Sequence, residues 1–386
     1  MAKPVCYTGA DIVTPLRVIN DGVLVTRGGI IESVGRKASV AIPVDADVIP
    51  MPGRTIMPGM IDVHVHGVAG VDFDECDAEG FERAAAMLLA HGVTQALITV
   101  LVPPYESFRK QAERIRAYLE RSDRSAVYCG VHTEGPFLNP EMPGAIPLRN
   151  MWAADAARAE ELFEAFGPWL KVMTVAPEIP GALDIIRLAS ARGIVPSAGH
   201  SKASYEVVED AIDRGLSQVT HMYNVMPPAM HRDPGLLGAA YTRPELDVQL
   251  IADGVHVSPT MLGLAIRAHG AASVLLISDA VCIAGLPDGS YVFAGDKVIV
   301  SGGVARRMNG AICGSTSLLD AGIRTLTRKC GVSLCDAARM AGMNGARVLG
   351  LDRRKGRIVA GYDADFAILN AAYEVKQTVL GGVTAG

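Results

Sequence analysis

The chain has 386 residues, 49% of them hydrophobic, and a formal charge of −5 at pH 7. That length allows either two domains or one barrel with an attachment, and the charge balance carries no basic footprint for nucleic acid. No apolar run approaches the roughly 18 residues of a membrane helix, and neither a Walker loop nor a Gly-x-Gly-x-x-Gly fingerprint is present. The opening Met1-Ala-Lys-Pro-Val-Cys6 lacks the apolar core of a signal peptide. Seven cysteines without Cys-x-x-Cys spacing read as reduced thiols, so a cytoplasmic protein is expected.

From the start to about residue 57, apolar stretches alternate with turn signals such as Asp21-Gly22 and Gly28-Gly29, which predicts a small antiparallel sheet. The far end, with Ala364-Asp-Phe-Ala-Ile-Leu369 and Val375 to Val379, has the same texture. Neither end holds many strands alone, so one small β-sandwich domain is expected from residues 1–57 and 352–386 together. Between them, apolar strands alternate with amphipathic stretches such as Glu79–His91 and Tyr105–Arg121. Eight candidate strands fall at 61–65, 95–101, 126–133, 172–176, 194–198, 218–220, 248–251 and 274–278. This predicts an α/β fold, a (β/α)8 TIM-type barrel over 58–351. Residues 284–310 break the rhythm and read as a β-hairpin insertion after the last strand.

The first barrel strand carries His64 and His66, two apart and therefore on one face of a strand. Two imidazoles converging from a strand end suit Zn or a similar divalent ion. In a barrel, catalytic residues sit where strands end at the C-terminal face. Glu134 follows the third strand, His200 the fifth, His221 the sixth and Asp279 the eighth. A lone histidine at such a place is more simply a hydrogen-bonded core residue. Together these groups are hard to explain that way, because buried imidazoles and carboxylates are costly unless something holds them. One ion suits Glu134, His200 and His221 with a water in the open position. A second suits His64, His66 and Asp279, or else Asp279 stays free as a base.

Several runs carry a family resemblance: Pro58-Gly-Met-Ile-Asp-Val-His-Val-His-Gly67, His132-Thr-Glu-Gly-Pro-Phe-Leu-Asn-Pro140, Ala198-Gly-His-Ser201, Thr220-His-Met-Tyr-Asn224, Ile251-Ala-Asp-Gly-Val-His256 and Ser278-Asp-Ala280. In this order they resemble the amidohydrolase superfamily and, within it, the N-acetylglucosamine-6-phosphate deacetylases, over nearly the whole chain. The resemblance implies Glu134, His200 and His221 as principal metal ligands and His64 and His66 as the pair for a second ion. Zinc is the metal it implies. It makes Asp279 the catalytic carboxylate, which takes a proton from water and delivers it to the departing amine. Asn224 and the Val225 backbone match a phosphate-binding pair, and His256 a ligand on the sugar or phosphate side. Arg232 matches an arginine that reaches the phosphate of a neighbouring subunit, so a homodimer is implied. Ile312, Cys313 and Gly314 match a loop that lines the pocket.

At Ile146 the chain leaves the family pattern, which has a substrate-contacting histidine there. An isoleucine side chain can neither donate nor accept a hydrogen bond. Either another group, His231 or Arg149, takes over the contact, or Ile146 lines an apolar patch that changes the preferred sugar. The expected function is hydrolysis of the acetamide of an N-acetylated amino-sugar 6-phosphate. The alternatives are another N-acyl or cyclic amide as substrate, or a non-catalytic sugar-phosphate-binding protein. Asn224 and Arg232 speak for a phosphorylated substrate, and Asp279 for catalysis.

Overall fold

The computed structural model describes residues 2–385. Its centre is a barrel of eight parallel strands: β1 (Met60–Asp62), β2 (Val93–Leu101), β3 (Tyr128–Glu134), β4 (Leu170–Val175), β5 (Val195–Ala198), β6 (Gln218–Val219), β7 (Asp247–Ile251) and β8 (Val274–Ile277). Hydrogen-bonded neighbours follow chain order from β1 to β8. The strands are short apolar runs covered by helices on the outside, as a parallel sheet requires; β2 is buried at every position. The barrel closes beyond the regular ends of β1 and β8. There Asp279 N donates to His64 O at 2.9 Å and His66 N to Ala280 O at 2.8 Å, and Val65 forms a parallel bridge with Ala280. Closure therefore happens at the rim that carries the ligand-type residues.

The helix Ala78–Ala90 shows how the outer layer forms. Asp77 caps it by accepting from Gly80 N at 2.8 Å, which satisfies one of the orphan donors of a first turn. Phe81, Ala84, Ala85 and Leu88, spaced as one helical face, are buried. Phe81 stacks on Tyr118 of the next helix at a centroid distance of 4.6 Å. Burial of a side chain such as Phe81 or Leu88 contributes about 1.5–3 kcal/mol.

The first barrel strand is shorter than the expected 61–65. Asp62 Oδ1 accepts from His64 N at 3.2 Å and from Ser278 N at 3.3 Å, and a side chain that takes a backbone donor in this way competes with the ladder. Val65 re-engages the sheet through Thr99, whose N donates to Val65 O at 3.1 Å.

Both termini contribute to a single eight-stranded sheet. Its core strand Thr55–Pro58 pairs with Phe366–Leu369 on one side and with Val5–Val13 on the other, then runs straight into β1. Val5–Val13 also pairs in parallel with Asp47–Pro50, so the sheet is mixed where only antiparallel neighbours are expected from its turns. Tyr7, Ile12, Leu24, Ile56 and Phe366 build its core. After β8, the expected hairpin carries a third strand: Gly289–Phe293, Asp296–Ser301 and Val304–Arg307 form an antiparallel sheet. Val281, Phe293, Val298 and Cys313 pack beneath it. Among the described residues no helix is long and apolar enough to cross a membrane.

Candidate active site

At the barrel rim two groups of metal-type donors lie side by side: His64, His66 and Asp279, and Glu134, His200 and His221. Glu134 is the last residue of β3, while the others sit just past the ends of β1, β5, β6 and β8. His200, His221 and Asp279 have positive φ values of 49°, 28° and 49°. For residues with a Cβ that conformation is disfavoured, and it turns each chain sharply so that its side chain faces the barrel axis. Gly144 approaches from the other side: its φ is +54°, and a Cβ there would lie 3.0 Å from His200 Cε1 and 2.9 Å from Val225 Cγ2. Only glycine fits that approach.

The donor atoms converge. Glu134 Oε1 is 3.0 Å from His221 Nε2 and 3.3 Å from His200 Nε2, and those two nitrogens are 3.2 Å apart. Four ligands at about 2.0–2.1 Å around a tetrahedral ion would be separated by roughly 3.3 Å, so these spacings suit one ion. His64 Nε2 and His66 Nε2 are 3.1 Å apart, and Asp279 Oδ1 is 3.3 and 3.4 Å from them. Glu134 Oε2 lies 3.3 Å from His66 Nε2, which joins the two groups.

Second partners orient the rings. His200 Nδ1 donates to Met142 O at 3.0 Å, and His64 Nδ1 to Gln249 Oε1 at 2.9 Å. Each bond fixes the proton on Nδ1 and leaves the Nε2 lone pair for a cation. Gln249 is itself held by Gln218, to whose Oε1 it donates at 2.6 Å. His132 lies under the site as a neutral spacer: its Nε2 bonds Thr174 Oγ1 at 2.8 Å and its ring meets His64 edge-on. Burial holds its pKa well below the ordinary value. Two pairs of buried imidazole Nε2 atoms lie within 3.2 Å of each other, an arrangement in which lone pairs alone repel. The donor set fits a divalent cation.

Charge in the cluster follows the same geometry. Burial alone would raise the carboxyl of Glu134, but the charge at His64 and hydrogen bonds from His200, His221 and His66 hold it well below the usual range. Asp279 behaves alike: burial opposes its charge, and His64 and His66 pull its pKa down. Burial, helped by the neighbouring His66 and His221 and opposed by Asp279 and Glu134, depresses His64. Burial also opposes charge on His66, but its bonds to both carboxylates raise it well above its ordinary value.

One cavity of about 230 Å³ opens on this cluster. His66, Glu134, His200, His221 and Asp279 line it, and Asn224, Val225, His256, Ile146, Ile312 and Gly314 line it as well; Cys313 is buried beside them. Tyr223 and Val225 have φ values of 81° and 52°, so the turn after His221 is strained, a feature that clusters at ligand sites. His256 Nδ1 is held by Asp253 Oδ2 at 2.7 Å, which leaves Nε2 for a ligand. Arg232 stands apart, exposed on the loop beyond the cavity. His231 and Arg149 are exposed and do not line the cavity of their own chain. Ile146 packs with Leu101 and Leu138. The residue that sequence reasoning missed in this wall is Arg307: it lies in the insertion, inside no motif, and reaches the cavity only through the fold.

A profile of the amidohydrolase family matches residues 55–385. The chain is 31% identical over 385 residues to N-acetylglucosamine-6-phosphate deacetylase of Bacillus subtilis (strain 168), covering 99% of this chain and 97% of that protein. It is 32% identical over 343 residues to N-acetylgalactosamine-6-phosphate deacetylase of Escherichia coli O157:H7, covering 89% and 91%. In structure it is similar to a variant of N-acetyl-D-glucosamine-6-phosphate deacetylase from Mycobacterium smegmatis in complex with N-acetyl-D-glucosamine-6-phosphate. There the TM-score is 0.92 with 29% identity, over 99% of both chains.

Proposed function

The chain belongs to the amidohydrolase family, and from that premise we propose that it hydrolyses the acetamide of N-acetylglucosamine 6-phosphate, giving glucosamine 6-phosphate and acetate. The observation that carries the reading is that Glu134, His200 and His221, with His66 and Asp279 of the neighbouring donor group, line one cavity together with Asn224 and Val225. A binding-only protein has no use for a buried, ionised carboxylate beside the ligand set. Seven free cysteines suit a reducing cytoplasm as the place of action.

Glu134, His200 and His221 would hold a divalent ion, and zinc suits their nitrogen and oxygen donors. His64 and His66 would hold a second where two are used. Such an ion would supply a Lewis acid that acidifies water and polarises an amide carbonyl. Asp279, ionised at neutral pH, accepts a proton as water adds to the acetyl carbon. The same carboxyl then gives that proton to the amide nitrogen as the C–N bond breaks, so the amine leaves neutral. The acetyl group leaves as acetic acid, which keeps both oxygens and releases its proton to solvent to become acetate. Asn224, the Val225 N–H and His256 bind the phosphate end. Arg232, exposed on its own subunit, serves the site of a second copy in a homodimer; guanidinium suits phosphate because it is planar and permanently charged.

The test is a turnover panel of N-acetylated hexosamine 6-phosphates, their unphosphorylated forms, N-acyl amino acids and cyclic amides, with metal analysis. Phosphorylated amino sugars are expected to lead it; preference for any other class contradicts the proposal. Arg232→Ala should raise KM for the phosphorylated substrate by roughly 10–100-fold, the worth of one charged hydrogen bond. The unphosphorylated form should be little affected. A fully active monomer in sedimentation would contradict the shared site.

The wall at Ile146 is expected to read the sugar ring. Ile146→His should change the ratio of kcat/KM between N-acetylglucosamine 6-phosphate and its galacto epimer by about tenfold, since a polar partner gained or lost in a closed pocket discriminates strongly. An unchanged ratio would remove Ile146 from the specificity determinants.

A further inference from the structure

Arg307 is a cation in the cavity for which the reaction as proposed has no use. It ends the third strand of the inserted sheet and lines the cavity on the side of Ile146. Among the described residues it is the only lysine or arginine to do so. Its contacts to oxygen run through one nitrogen: Nη2 donates to Ala145 O at 2.8 Å and lies 3.2 Å from Asp296 Oδ2, a carboxylate exposed at the surface. Nε is buried and has no hydrogen-bond partner among the described residues. A guanidinium has five N–H donors and keeps its charge, and leaving one of them dry and unpaired is costly. The wall around it is mostly apolar, built from Ile146, Leu101, Phe293 and Ile312, with the thiol of Cys313 as a weak acceptor beside the guanidinium.

Position narrows what the missing partner is. No hydrogen bond or ion pair joins Arg307 to the ligand cluster or to Asn224 among the described residues. With the acetamide at Asp279 and the phosphate at Asn224, the part of the substrate left to face this wall is the ring between them. We propose that Arg307 is a specificity-determining residue that donates a hydrogen bond to a ring hydroxyl of the bound amino sugar, beside Ile146. The assignment rests on the deacetylase reading given above. A hydroxyl there gives the accessible N–H groups of this partly buried cation an acceptor in a mostly apolar wall, where such a bond is strong. A sugar lacking that hydroxyl, or presenting it elsewhere, leaves the donor unpaired, the condition under which hydrogen-bond recognition discriminates most.

The experiment measures ligand affinity by calorimetry in the metal-loaded full chain carrying Asp279→Asn, so that the answer does not depend on turnover. Turnover by the unsubstituted protein tests the deacetylase reading separately. The ligands are N-acetylglucosamine 6-phosphate, its 3-deoxy and 4-deoxy analogues, and unphosphorylated N-acetylglucosamine. Adding Arg307→Leu should weaken the parent ligand by roughly 10–100-fold, the range for a hydrogen bond to a charged group. For one of the deoxy analogues it should cause almost no further loss, because the partner is already gone. Arg307→Lys, which keeps the charge, should fall between, and it serves alone if the leucine variant does not fold. An equal loss for the parent and both deoxy analogues would overturn the proposal and leave Arg307 as a prop for the Ala145 segment. A loss confined to phosphorylated ligands would overturn it in favour of a phosphate contact.

Discussion

Asp279→Asn is expected to lower kcat on N-acetylglucosamine 6-phosphate by roughly 10²–10⁴-fold, the span over which a positioned acid–base group contributes. The carboxylate is well placed for that role. It follows β8, its pKa is held down by His64 and His66 against the effect of burial, and it lines the cavity beside Glu134. Asparagine has nearly the same shape but cannot take a proton from water or return one to the amine. The variant should keep the ion held by Glu134, His200 and His221. If Asp279 also binds a second ion, metal content should fall by that ion alone. Steady-state kinetics with metal analysis decides the matter: turnover within a few-fold of the unsubstituted protein removes Asp279 from the mechanism.

Glu134→Ala should be at least as damaging, by a different route. Its two oxygens lie within 3.5 Å of all four imidazoles of the cluster, so its loss leaves the imidazoles without the carboxylate that joins them. Even an outer-shell partner of a metal ligand is commonly worth about 10–100-fold in metal affinity or activity, and a ligand shared by the whole cluster is worth more. The expected result is protein that emerges without tightly held metal and with turnover reduced by about 10³-fold or more. Stoichiometric metal in active Glu134→Ala protein would show that the cluster does not depend on this carboxylate.

The barrel and its chemistry were legible in the sequence for a physical reason. A polar residue at the end of a short apolar strand has few structural uses, and Glu134, His200, His221 and Asp279 each follow such a strand. Other features depend on contacts remote in sequence. Asp62 breaks the first strand by holding Ser278, 216 positions away, which no local pattern reveals. Gln249 sets the tautomer of His64 across 185 positions, yet in sequence it is only a polar residue within a strand. Arg307 is the clearest case. It sits in an insertion that reads as an exposed hairpin, and only the packing of that sheet brings it to Ala145, 162 positions earlier. Arg232 is the converse: the family resemblance singles it out in the sequence, while its side chain is exposed outside the cavity.

The most direct measurement is acetate release from N-acetylglucosamine 6-phosphate by the purified chain, followed before chelation, after chelation, and after zinc is returned. Acetate and glucosamine 6-phosphate should appear in equal amounts, with kcat in the ordinary enzymatic range of about 1–10³ per second. Turnover should be lost with the metal and restored by it. No acetate from the zinc-loaded protein, or undiminished release from protein shown to be free of metal, would contradict the account.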